Sequence, residues 1–207
     1  MLDSLLGRAR TISKAASWLG GLMMLLTAFV VTFDVLVRKL ADFSLEGADE
    51  LSGYAFAIST SWAFALGLLD RANVRIDGIY MLAPTALKAF LDFAALAALG
   101  LFLAAMLWSG WYMWLDSYQY EATSITSWRT PLAYPQALWM LGWLWFAVVL
   151  VLIVLRCIQA VLQGRPEDVV AVAGVRTLEE EVTAEVSHAA EEVAHERVHR
   201  GSGQGKH

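Results

Sequence analysis

The sequence contains one cysteine in 207 residues, Cys157, at the end of a long apolar run. A single thiol excludes an intramolecular disulfide and a Cys-x-x-Cys redox pair, and with them a membrane thiol oxidoreductase. Histidine is confined to His188, His195, His199 and His207 near the C-terminus. No histidine pair therefore stands in an apolar segment to hold a transmembrane haem. Gly-rich phosphate loops, Gly-x-Ser-x-Gly and His-Glu-x-x-His are all missing. Ser109 precedes Gly110, but no base accompanies it. These absences point away from an enzyme and predict no cofactor and no metal centre.

The most telling absence is of charge. Ala15–Phe33, Leu51–Leu69, Phe93–Leu115 and Thr130–Leu155 contain no charged or histidine side chain. About 20 apolar residues in a helix cross a hydrocarbon core of about 30 Å. Backbone polar groups in lipid need internal partners, so windows of this kind are helices. Hydrophobic residues make up 58% of the chain and its mean hydropathy is +0.54. A soluble domain sits near 45–50% apolar. The expected fold is an all-α membrane protein with four transmembrane helices, short interfacial segments and a cytoplasmic C-terminal tail. The expected layout is an N-terminus over 1–14, a four-helix domain over 15–160 and a tail over 161–207. Spans fall at about 15–37, 51–69, 88–115 and 134–157. No ionisable group sits inside any window, whereas a carrier or proton pump usually has one there.

Arg8, Arg10 and Lys14 before the first apolar run resemble the start of a signal peptide. The run is too long for a typical signal core and no small-x-small cleavage site follows, so it reads as an uncleaved signal anchor. Lysine and arginine near span ends set orientation. One side carries nine: Arg8, Arg10, Lys14, Arg71, Arg75, Lys88, Arg156, Arg165 and Arg176. The other carries three: Arg38, Lys39 and Arg129. That asymmetry puts both termini in the cytoplasm.

Phe43 and Leu45 among Asp42, Glu46, Asp49 and Glu50 suggest an interfacial first loop. Ile79, Tyr80, Met81 and Leu82 suggest the same for the second. Pro84 suits a helix start, and Lys88 with Asp92 can pair at the foot of span three. Trp108, Trp111, Tyr112, Trp114, Tyr118, Tyr120, Trp128 and Tyr134 read as a headgroup belt or as a docking surface for an external partner. Trp139 and Trp143, four apart, share one helix face. Gly20, Gly21, Gly53, Gly67, Gly100 and Gly110 permit close helix contacts. The tail holds nine acids and five bases from Arg165 onward. Leu178, Val182, Ala189 and Val193 there fit a solvated amphipathic helix. His195 and His199 are at most a weak metal signal.

Asp34 is the most buried ionisable candidate. It could be a coupling carboxylate, or it could pair with Arg38 one turn on, at the membrane boundary.

Three segments together carry a family resemblance. Loop one runs Arg38-Lys39 and then Ser44-Leu45-Glu46-Gly47-Ala48-Asp49-Glu50-Leu51-Ser52-Gly53-Tyr54. Span two ends Gly67-Leu68-Leu69-Asp70-Arg71-Ala72-Asn73-Val74-Arg75-Ile76-Asp77. Loop three reads Thr130-Pro131-Leu132-Ala133-Tyr134-Pro135 before a Trp-rich span. Over roughly residues 15–160 this resembles the small, Q-type (DctQ-like) membrane subunit of TRAP (tripartite ATP-independent periplasmic) transporters. Family members often have a histidine and glycine where this chain has Ala72-Asn73.

The resemblance implies a sodium-coupled importer of organic acids in the bacterial inner membrane. A periplasmic substrate-binding protein captures the solute, and a large multi-span subunit carries it. The small subunit is a scaffold in the lipid bilayer with no nucleic-acid partner. Arg38, Glu50, Arg75 and Asp77 match the family's recurring charged positions. With Asp34, Trp139 and Trp143 they are the candidate structural or interface residues. Two other readings stay open: a self-sufficient four-span transporter using Asp34, and a membrane adaptor acting through its acidic tail.

Overall fold

The computed structural model describes residues 2–41, 46–72 and 84–165, with the further single positions 169, 174 and 186. Four helices form the described chain: α1 Leu2–Ala41, α2 Ala48–Leu69, α3 Thr85–Gln119 and α4 Ala133–Leu162. Each is long and apolar enough to cross a membrane. The four-span all-α fold read from the windows is therefore the observed one. Among the described residues the β-type pairing is a single antiparallel bridge, Thr123 to Pro131.

The helices outrun their apolar windows. At 1.5 Å per residue, the 40 residues of α1 extend about 60 Å, twice the hydrocarbon thickness. Helix α1 starts at Leu2, well ahead of the window that begins at Ala15. No proline interrupts Leu2–Lys14, so the helix of the apolar run propagates back through Arg8 and Arg10. Pro84 caps α3, one position before its first helical residue. Helix α4 closes with the two bonds of a Schellman motif, Arg165 N to Ala160 O at 3.0 Å and Gly164 N to Val161 O at 2.9 Å. Gly164 takes the required left-handed conformation at φ 70° without a Cβ penalty. Helix α2 ends in the same way but puts Arg71 at that position, φ 54°.

Helix α4 is the centre. Its apolar window is 39% buried, against 17–28% for the others. Helices α1, α2 and α3 all pack on it, α1 also packs on α2, and α3 leans chiefly on α4. The α1–α2 seam is built from small and polar residues at heptad spacing. Ser13, Gly20, Thr27 and Asp34 are all buried on one face of α1. Seven-residue steps keep one face toward an antiparallel neighbour. Opposite them Ser59 donates to Gly20 O at 3.0 Å. In lipid, association rests on such close packing and interhelical hydrogen bonds, because bilayer and side chains are equally apolar. Two more cross-links tie α4 in: Trp62 Nε1 donates to Leu138 O at 3.1 Å, and Trp145 Nε1 to Ser13 Oγ at 2.9 Å.

Of the glycines expected at contacts, Gly20, Gly100 and Gly110 face a neighbouring helix, while Gly21, Gly53 and Gly67 face open space. Positions 175–207 form a separate unit. Apart from Val186, its expected amphipathic helix and histidines lie outside the described residues. So do Asp42, Phe43 and Leu45 of loop one, and Ile79 to Leu82 of loop two.

Candidate functional site

Charged and polar side chains gather at the two ends of the bundle. At the end holding the α1–α2 and α3–α4 connections, Arg38 is ion-paired with Asp34 one turn earlier on α1. Asp34 is 1% exposed, whereas Arg38 is about half exposed. The guanidinium thus carries the pair from the helix seam to water, as expected for long side chains near a span end.

The same end is clamped by the first turn of α2. Thr126 donates to Glu50 Oε2, and Tyr54 donates to Glu50 Oε1 at 2.7 Å. Ser127 donates to Glu46. Within the α3–α4 loop, Ser124 and Thr126 hydroxyls lie 3.0 Å apart, and Thr130 N donates to Ser124 Oγ at 3.1 Å. Gly47 turns the chain into α2 at φ 105°, and a Cβ there would fall 2.9 Å from the Trp128 ring. Only glycine satisfies both the conformation and the contact.

Loop three is therefore docked on α2 by hydroxyl-to-carboxylate bonds. Beside it lies an open cleft of about 550 Å³ lined by Arg38, Glu46, Asp49, Ile125 and Ser127, among others. Ile125 stands fully exposed at the loop tip. The cleft thus gathers a cation, two carboxylates and an apolar tip.

At the opposite end, Arg10 of α1 is ion-paired with Asp70 at the C-cap of α2. Arg156 Nε of α4 contacts Asp3 Oδ1 at 2.9 Å. Asp92 on α3 is 0% exposed, and so is Cys157 of α4. The expectation that Asp34 is the most buried ionisable group needs correction, since Asp92 is buried just as fully. It lies one residue before the third window, and α4 covers it. Lys88 and Asp92 are each engaged in an interaction.

Between the two ends, Trp143 is the aromatic hub. Its ring centroid lies 5.3 Å from Phe64 on α2, 6.4 Å from Phe102 on α3 and 5.9 Å from Trp139. Trp139 and Trp143 thus pack inside this chain's own bundle. Trp143 is 7% exposed, and its Nε1 finds no acceptor among the described residues. The aromatics of the expected belt stay outside: Trp108, Trp111, Tyr118, Tyr120, Trp128 and Tyr134 are exposed. Trp114 is half-buried and donates to Ala133 O at 3.1 Å.

The structure brings Asp34 and Arg38 together, sets Glu50 in the first turn of α2 where loop three docks, and packs Trp139 with Trp143. Arg75 and Asp77 lie outside the described residues. Among the described residues no three histidine, cysteine or acidic side chains are grouped to hold a metal. The Arg10–Asp70 and Arg156–Asp3 links were not visible in sequence, because no local spacing joins residues so far apart.

A family model described as "Tripartite ATP-independent periplasmic transporters, DctQ component" matches residues 9–164. No curated protein and no solved structure matches the chain.

Proposed function

Since the chain belongs to the DctQ family, the small membrane component of TRAP transporters, we propose that it is the non-catalytic scaffold of a sodium-coupled importer of organic acids. The carrying observation is where its charges lie. Asp34, Arg38, Glu50, Arg10, Asp70, Asp3 and Arg156 all stand outside the uncharged windows and bond to one another or to loop hydroxyls. A carrier needs polar groups at mid-membrane to hold solute or ion. A scaffold needs rigid, paired ends and an apolar body.

In this reading the large membrane subunit carries solute and sodium, and a periplasmic binding protein delivers the solute. The docked α3–α4 loop and the cleft beside Arg38 help to seat that protein. The Lys and Arg asymmetry supports cytoplasmic termini in a bacterial inner membrane, with the loop cleft on the periplasmic side and residues 161–207 as a cytoplasmic tail. Arg38, Glu50, Arg75 and Asp77 anchor loops to headgroups or to the large subunit.

The test is reconstitution with a sodium gradient. Proteoliposomes holding both membrane subunits and the binding protein should take up organic acid, and those with this chain alone should not. Uptake by the chain alone would overturn the scaffold reading in favour of a self-sufficient transporter.

A further inference from the structure

The exposed apolar surface is of two kinds. Helix α1 presents Trp18, Leu19, Leu25, Phe29, Phe33 and Leu40 outward. The uncovered side of α4 presents Leu141, Leu144, Val148, Val151, Leu155 and Ile158. Bulky aliphatic and aromatic side chains of this kind suit fluid lipid chains. The space between α2 and α3 is different. Among the described residues both helices pack on α4 yet scarcely on each other, so the faces that meet at Trp143 border a groove floored by α4.

Trp143 sits at that floor, in ring contact with Phe64 on one wall and Phe102 on the other. On the face of α2 that carries Phe64, helical spacing places Gly53, Thr60 and Gly67. A Cβ built on either glycine would meet nothing within 4 Å. On the face of α3 that carries Phe102, the same spacing places Ala98, Ala105 and Ser109, all exposed, with Leu91 and Met113 farther out toward the two ends. Both walls therefore carry small residues beside the two phenylalanines, the composition that lets helix backbones approach closely in a membrane.

The second observation is chemical. The Trp143 indole N–H is more than nine-tenths buried and has no acceptor among the described residues. An acyl chain offers none. A polar side chain or a freed backbone carbonyl on a neighbouring helix does, and a buried donor left unmatched is unfavourable.

We propose that the α2–α3 groove is the seat of a transmembrane helix of the large membrane subunit, one that brings an acceptor to Trp143 Nε1. The half-exposed rings of Phe64 and Phe102 flank the indole and move aside as that helix seats. This rests on the scaffold reading above, and it adds which face does the scaffolding.

The test uses the full chain co-expressed with its large subunit. Gly53→Leu and Gly67→Leu add bulk to the groove at positions where a Cβ meets none of the chain's own atoms within 4 Å. Gly21→Leu, which also meets open space, fills the outward face of α1 instead. The groove variants should recover roughly tenfold less large subunit at unchanged helix content, and Gly21→Leu should recover the normal amount. Trp143→Phe keeps the ring and removes the donor. It should weaken recovery severalfold while the isolated chain unfolds no earlier. A photo-crosslinker at Ala105 should give an adduct with the large subunit.

Full recovery with both groove variants, or loss with Gly21→Leu alone, overturns the groove while leaving the scaffold reading standing. Crosslinks only to a second copy or to lipid do the same. Failure of the unmodified chain to bring down any large subunit overturns both.

Discussion

Gly142 of α4 and Ser61 of α2 touch so closely that a Cβ on the glycine would overlap the Ser61 side chain and lie 2.9 Å from Trp62 Cδ1. This is a close approach in the α2–α4 seam, beside Trp143 on α4 and one turn before Phe64 on α2. Gly142→Leu should therefore push the helices apart and destabilise the chain by about 1–3 kcal/mol, the usual range for overpacking. Thermal unfolding in detergent measures it, with Gly21→Leu as the neutral control. Equal unfolding temperatures would contradict the seam.

The Trp145 to Ser13 bond joins α4 to α1 across 132 positions. Interhelical hydrogen bonds in membrane proteins contribute roughly 0.6–1.7 kcal/mol. A double-mutant cycle of Ser13→Ala and Trp145→Phe should return a coupling in that range, read from unfolding free energies. A coupling of zero would mean the two side chains act independently.

Asp34 and Arg38 should respond unequally. Arg38→Gln strips a buried carboxylate of its ion pair, at a cost of about 1–3 kcal/mol. That is less than the roughly 3–5 kcal/mol of a wholly buried pair, since Arg38 reaches water. Asp34→Asn leaves behind a cation that is already half solvated and should cost less. With the complex assembled, Asp34→Asn should keep sodium-driven uptake. Abolished uptake in an assembled complex would instead make Asp34 a coupling carboxylate.

Loop three should loosen when its carboxylate clamp is removed. Glu50→Ala takes away the acceptor of both Thr126 and Tyr54. Amide exchange across residues 121–131 should speed up severalfold, while exchange in the middle of α4 stays unchanged. Unchanged loop exchange would show that Gly47–Trp128 packing and the Thr123–Pro131 bridge hold the loop unaided.

The helices were legible because their cause is local. An uncharged apolar run must close its own backbone hydrogen bonds in lipid, and that requirement can be read window by window. The Asp34–Arg38 pair was legible for the same reason, as a one-turn spacing. The backward extension of α1 to Leu2 was less so, since charge at Arg8 and Arg10 marks the end of an apolar window and not the end of a helix. The six glycines divided evenly between helix contacts and open space. Glycine permits close approach, but the partner that exploits it is a property of the assembled bundle.

From the sequence alone came four spans, their empty interiors, the charged flanks and the resemblance to a TRAP small subunit, all set by short-range patterns. Only the tertiary structure decided that α4 is central, that Asp92 is as buried as Asp34, and that Arg10 meets Asp70. It also decided that loop three docks on Glu50 and that Trp143 lies between Phe64 and Phe102 with an unmatched N–H. Those outcomes depend on which helix faces meet. In lipid, apolar side chains gain little by choosing one another over an acyl chain. Steric fit and hydrogen bonds between residues far apart in sequence make that choice, and they exist only once the helices are packed.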